Sequence, residues 1–181
     1  AGLGIELGDL VQDGMLGLID AACRFDEGRG IKFETFAERR VRGAMIDALR
    51  RDAWLDPACA LLAEGPATFV IAPAGRLSSA EQGALMFREC PRRTADACES
   101  GDWLHVDVYL TEPLNYRAIL FAGARFDGAI MECMRERGGR VLAVGGEIPG
   151  IGQTVRYPGH DVREVALLTE VLVPELVAAS W

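Results

Sequence analysis

Apolar residues recur at helical spacing from the start of the chain. Leu10, Gly14, Leu18, Ala21 or Ala22, and Phe25 share one face of a helix predicted over residues 9–25, with Asp9 as its N-cap. The glycine-bearing stretch Asp26-Glu27-Gly28-Arg29-Gly30 ends it. A second helix is predicted from about Glu34 to Asp52. Ala37, Val41, Ala44, Ala48 and Leu49 form its apolar stripe, while Glu38, Arg39, Arg42 and Arg50 lie elsewhere. The pair reads as a helical hairpin, and two helices alone bury too little surface to fold stably, so they need a partner.

The rhythm changes after Trp54. A short helix is predicted over 57–63, and the continuous apolar, β-branched run at 67–74 suits a strand buried on both faces. Gly75-Arg76-Leu77-Ser78-Ser79 comes next, then a helix over 79–89. Residues 94–100 read as extended, and 105–111 as a helix start or a short extended piece. A second buried strand is expected at 117–124, a helix at 128–138 ended by glycine, and a third strand at 140–146. A short edge strand at 153–159 and a final helix over 161–180 complete the pattern. Strands alternating with helices imply βαβ units, hence an α/β sandwich on a parallel sheet.

Two family resemblances meet near Trp54. The stretch DLVQDGMLGLIDAACRFD, followed by IKFETFAERRVRGAMIDALR, resembles region 2 of bacterial sigma factors of the flagellar and sporulation type. By that resemblance Asp9, Gln12, Asp13 and Met15 fall where the family contacts RNA polymerase. Phe36, Arg39 and Arg40 fall where it engages the opened promoter strand. An aromatic flanked by arginines suits that task, because bases stack on rings and phosphates pair with guanidinium groups.

Residues 66–181 resemble the second half of a double SIS (sugar isomerase) protein, beginning with ATFVIAPAGRLSSAEQGALMFREC. A serine-bearing loop ahead of a helix N-terminus offers hydroxyls and backbone N–H groups to a phosphate, and Ser78 and Ser79 stand there. The resemblance further implies Glu89 as the base of an aldose–ketose isomerisation and His105 as the group that assists ring opening. The chain departs from the family pattern at Met86, where lysine is expected, at Gln82, and at Val106-Asp107 after the histidine. The first subdomain, which holds most of the phosphate contacts in double SIS enzymes, has no counterpart in the sequence.

Composition narrows these readings. The net charge is −8. Eight basic and ten acidic residues precede Leu55, net −2, and eleven basic and seventeen acidic lie beyond it, net −6. Neither part has the basic balance of a free-standing nucleic-acid binder. Five widely spaced cysteines and two histidines, His105 and His160, form no zinc pattern, so no metal or other cofactor is expected. Reduced thiols, the absence of a basic leader in AGLGIELGD and the absence of a membrane-length apolar run point to a cytoplasmic, membrane-free protein. The missing initiator Met suggests a chain cut from something longer.

The expected architecture is therefore a flavodoxin-like parallel-sheet sandwich over 55–181, with the helical hairpin of 1–54 packed on it. The leading functional expectation is a chimeric or recombined protein whose α/β part binds a phosphosugar or self-associates through helices as a homodimer. A sugar-phosphate isomerase assembled across a dimer is one alternative. A sigma fragment that binds RNA polymerase or promoter DNA is the other.

Overall fold

The computed structural model describes residues 3–4, 7–26, 28, 30–50, 54–157 and 159–181. The expected end of the second helix at Asp52, the side chain of Asp9 and Pro158 of the expected edge strand lie outside the described residues. The chain divides into two units, residues 5–52 and the remainder.

The smaller unit is a pair of helices, α1 (Leu7–Arg24) and α2 (Phe33–Arg50), packed against each other. Small residues form their seam. A β-carbon on Gly17 would lie 2.8 Å from Ala44 Cβ and 2.9 Å from the Arg40 carbonyl oxygen, so this crossing admits only glycine. Gly14 sits over Val41 and Met45, and Ala21 and Ala37 are buried. The seam runs to one side of the expected stripe: Leu18 is 45% exposed, because the close approach at Gly17 turns it outward. Between the helices, the Phe25 ring packs edge-on against Phe33 at 5.1 Å and tilted against Phe36 at 5.9 Å. Gly28 donates its N–H to Asp26 Oδ1 at 3.0 Å, which tightens the turn.

The larger unit is an α/β fold on a parallel sheet. Its main strands are β2 (Thr68–Ala72), β3 (Ala95–Glu99), β4 (Arg117–Phe121), β5 (Arg140–Val144) and β6 (Gln153–Arg156); the pair Leu3–Gly4, β1, adds to the edge beside β6. The order is β1-β6-β5-β4-β2-β3, and every pairing is parallel. All residues of β2 and β4 are buried, as expected for central strands covered on both faces. The helices are α3 (Leu55–Ala63), α4 (Leu77–Glu89), α5 (Ser100–Trp103), α6 (Asp127–Glu136), α7 (Arg163–Thr169) and α8 (Leu172–Ser180).

Most predicted elements are present with boundaries shifted by a residue or two. Residues 107–111 form a 3-10 turn. The single final helix is broken into α7 and α8. Pro174 has no N–H to donate to the carbonyl of Glu170, so the helical ladder lapses at the junction. On one face of the sheet, Phe69 stacks on Tyr116 with ring centroids 4.1 Å apart, and Trp103 Nε1 donates to the Tyr116 hydroxyl at 2.9 Å. On the other face α4 packs against α8. Among the described residues no helix is long and apolar enough to cross a membrane, all five cysteines are free, and no group of three side chains is arranged to hold a metal.

The α4–α8 contact depends on Gly83. A β-carbon there would come within 2.6 Å of Pro174 Cγ and 2.9 Å of its Cβ. Gly83→Ala is expected to lower the unfolding free energy by about 1–2 kcal/mol, the overpacking outweighing alanine's better helix propensity. Urea denaturation checks this, and a variant as stable as the parent would show that the two helices can part at no cost.

Candidate functional site

In the sheet, β2 has β3 on one side and β4 on the other. The chain thus leaves β2 in one direction and returns past it to continue in the other. At such a reversal the connections after the two strands splay apart, opening a crevice beyond their carboxyl ends. A crevice of about 520 Å³ lies there, floored by Arg76, Gly123 and Asp127 and rimmed by Glu147, His160 and Arg163.

Arg76 anchors the floor. It sits after β2 in a 3-10 turn, and its side chain is only 11% exposed. One guanidinium nitrogen donates to Glu170 Oε1 and another to the carbonyl oxygen of Ala122, just after β4. Glu170, at the α7–α8 junction, is fully buried. It also accepts from the Tyr157 hydroxyl at 2.9 Å, beyond β6. Gly145, with φ at +97°, passes so close that a β-carbon would lie 3.3 Å from Glu170 Oε1. Burial pushes the Glu170 carboxyl up to about 7, against the opposing pull of Arg76 and the hydrogen bonds from Tyr157 and Arg76. Burial, with the neighbouring Glu170 carboxyl, raises the Tyr157 hydroxyl as well.

Asp127 opens α6 and closes the loop before it. Its Oδ2 accepts from the N–H groups of Gly123 at 2.7 Å and Ala124 at 3.2 Å. Burial raises this carboxyl although both hydrogen bonds and Arg76 favour the charged form. At the rim, Glu147 is ion-paired with Arg156, whereas Arg163 and His160 are exposed and make no hydrogen bond or ion pair among the described residues.

The residues singled out in the sequence lie elsewhere. α4 begins two residues earlier than expected, so Ser78 and Ser79 sit inside its first turn. Ser78 is exposed, and Ser79 is buried with its hydroxyl 3.5 Å from the Leu167 carbonyl oxygen. Glu89 is exposed at the last turn of α4, toward the amino ends of the strands. His105 is exposed beyond α5, which continues from the carboxyl end of β3, and donates its backbone N–H to the Asp102 carbonyl at 2.9 Å. The topology thus places Glu89 and His105 toward opposite ends of the sheet, and none of the four lines the crevice.

In the helical pair, Gln12 and Met15 are exposed on α1 and Asp13 is half-buried. Phe36 belongs to the aromatic cluster. Arg40 lies over its ring at 5.6 Å and pairs with Asp20 at 3.4 Å, and Arg39 is exposed. Phe36 and Arg40 edge a 220 Å³ hollow that Phe25 and Ile31 also line.

Sequence reasoning missed Arg76, Asp127, Tyr157, Arg163 and Glu170. A signal existed for the first two: both buried strands run straight into glycine-bearing loops, Pro73-Ala74-Gly75-Arg76 and Ala122-Gly123-Ala124. Nothing local marks Glu170, one carboxylate within an apolar helical stretch.

Comparison with known proteins finds a sequence match for the first part of the chain and a fold match over most of it. Residues 1–55 match the model of sigma-70 region 2. The sigma factor FliA of Pseudomonas aeruginosa is 48% identical over 50 residues, which are 28% of this chain and 20% of that protein. The sigma-D factor of Bacillus subtilis is 55% identical over 47 residues, 26% of this chain and 18% of that protein. The chain thus spans about a fifth of the length of these relatives. In fold it resembles the SIS domains of phosphosugar isomerases. The C-terminal domain of glucosamine-fructose-6-phosphate aminotransferase from Francisella tularensis superposes with a TM-score of 0.57 at 16% identity, over 82% of this chain and 45% of that one. Tagatose-6-phosphate ketose/aldose isomerase from Escherichia coli gives 0.58 at 17%, over 83% and 44%.

The raised Glu170 carboxyl makes stability depend on pH. Its folded value lies above the usual 4.5, so the native state keeps a proton that the unfolded chain has released. This contribution is complete below pH 4.5 and is lost as pH rises through about 7. Relative to Glu170→Gln, the parent protein should lose up to about 3 kcal/mol of unfolding free energy across that window. Urea titrations of both proteins from acid to mildly alkaline pH measure it, and a constant difference would contradict the assignment.

Proposed function

We propose that the α/β unit is a binding module for a sugar phosphate, received in the crevice at the β2–β4 reversal. The position of the crevice carries the reading: it opens where parallel α/β sheets characteristically take their ligands, and its volume of about 520 Å³ suits a molecule of hexose phosphate size. Arg163 supplies positive charge at its rim, where His160 also stands. The first turn of α4, with Ser78 and Ser79, begins directly after Arg76, the residue that lines the crevice. The likeness to an aminotransferase and an isomerase named for sugar phosphates supports the same class of ligand. Binding, rather than turnover, is the part of that chemistry we assign to this chain.

We infer further that residues 1–54 and 55–181 have separate ancestries, joined near Trp54. The sigma-type match ends at residue 55, and residues 55–181 build an α/β fold of another kind. A second activity is therefore proposed for the helical pair: contact with RNA polymerase through Asp9, Gln12, Asp13 and Met15. Identity of 55% over 47 residues with a sigma factor favours it, as does the exposure of Gln12 and Met15. That reading also puts the protein in the cytoplasm.

Two experiments test these assignments. In a thermal-shift series, millimolar fructose-6-phosphate or glucosamine-6-phosphate should raise the melting temperature by a few degrees, as expected when ligand exceeds its Kd; no shift with either sugar would remove the first reading. In a pull-down, the full chain should retain RNA polymerase and Gln12→Ala should reduce retention severalfold. Equal retention by both proteins, or none by either, would remove the second.

A further inference from the structure

The crevice is built the wrong way round for a phosphate at its floor. The N–H groups of Gly123 and Ala124 lie in the loop between β4 and α6, at the crevice floor. They are taken by Asp127 Oδ2, at 2.7 and 3.2 Å. The loop is thus closed by the protein's own carboxylate, and an incoming phosphate would meet like charge there. The other oxygen, Oδ1, is buried and accepts no hydrogen bond among the described residues, although Asp127 is only 9% exposed and lines the crevice. Glu170 Oε2 is likewise buried without a donor among the described residues. The single guanidinium of Arg76 stands near both carboxylates, and its nitrogens already serve Glu170 Oε1 and the Ala122 carbonyl. Among the described residues, Asp127 Oδ1 is thus an acceptor left without a donor beside the crevice.

The rim carries both signs of charge. Arg163 is exposed and unpaired among the described residues, and its guanidinium reaches over Gly75, 4.0 Å from where a β-carbon would stand. His160 is beside it on the same lining. Glu147 is neutralised by Arg156, and Asp161 is the remaining rim carboxylate.

We propose that Asp127 is the specificity-determining residue of the crevice, its carboxylate taking an ammonium or hydroxyl donor of the ligand once Oδ1 is uncovered, while Arg163 holds the ligand's anionic group at the rim. The ligand class is thereby a small zwitterion or polyol carrying a phosphate or similar anion, oriented with its donor end inward. This rests on the sugar-phosphate reading above and adds to it an orientation and a residue that reads the uncharged or cationic end.

Isothermal titration of the full chain tests it with three probes: glucosamine-6-phosphate, which has donors and an anion; glucosamine, which has donors alone; and inorganic phosphate, an anion alone. Asp127→Asn keeps an oxygen to accept from Gly123 and Ala124 but replaces the other acceptor by an amide donor. It should weaken glucosamine-6-phosphate about tenfold or more, as loss of a charge-assisted hydrogen bond does, and leave inorganic phosphate within about twofold. Arg163→Gln, a change at an exposed position that does not threaten folding, should weaken glucosamine-6-phosphate and phosphate together and leave glucosamine unaffected. Unchanged sugar-phosphate binding in Asp127→Asn, or markedly tighter phosphate binding in it, would overturn the proposal, the latter by placing phosphate on the loop. Should Asp127→Asn fail to fold, Arg163→Gln decides alone: an equal loss of glucosamine and glucosamine-6-phosphate binding overturns the orientation. If the parent chain binds neither glucosamine-6-phosphate nor fructose-6-phosphate, the sugar-phosphate reading itself has failed, a result distinct from all of these.

Discussion

A buried guanidinium organises the carboxyl edge of the sheet. Arg76 leaves the turn after β2, reaches the backbone after β4 and meets Glu170 at the break between α7 and α8. Glu170 in turn receives the hydroxyl of Tyr157, just past β6, and forces Gly145 after β5 to remain without a side chain. Four strand ends and one helix junction are thereby tied to two side chains. Removing either partner would leave a buried charge uncompensated, which costs more than the pair itself contributes. The pair therefore acts chiefly to specify which loops come together, and the crevice exists because those loops are held around it.

The same network explains how this crevice differs from a simple anion site. Parallel sheets with helices after each strand point helix N-termini at the carboxyl edge, and those termini attract anions. Here the loop N–H groups ahead of α6, those of Gly123 and Ala124, are taken by Asp127, and Arg76 is paired with the buried Glu170. A ligand is left with the Asp127 carboxyl and the engaged Arg76 at the floor and Arg163 at the rim. The helical pair obeys a different logic. Its seam is made of glycine and alanine, so the helices approach closely, and the larger apolar residues Val11, Met15, Leu16 and Ile19 remain on the outside of α1.

Much of the fold is legible in the sequence because the patterns that encode it are local. The apolar runs at 67–74 and 117–124 are central strands, and the helical spacing of 9–25 and 34–52 corresponds to α1 and α2. The register of the helical seam is not, since Gly17 carries no hydrophobic signal and its burial arises only from the backbone of α2 lying against it. The candidate site is the least legible part. Ser78, Ser79, Glu89 and His105 stand out by their resemblance to a family pattern, yet Ser79 faces the Leu167 carbonyl and Glu89 and His105 lie toward opposite ends of the sheet.

By itself the sequence determined the alternation of strands and helices, the change of character near Trp54 and the sigma-type resemblance of the first fifty residues, because each depends on neighbours a few positions apart. Only the tertiary structure decided the strand order, and with it the place where β2 and β4 diverge. It also brought Arg76 to Glu170, 94 positions later, and set Asp127 on the loop beyond β4. The physical reason is that burial and the choice of hydrogen-bond partner are properties of the assembled sheet: a carboxylate reads the same in sequence whether it ends up solvated or enclosed, and only packing removes its water.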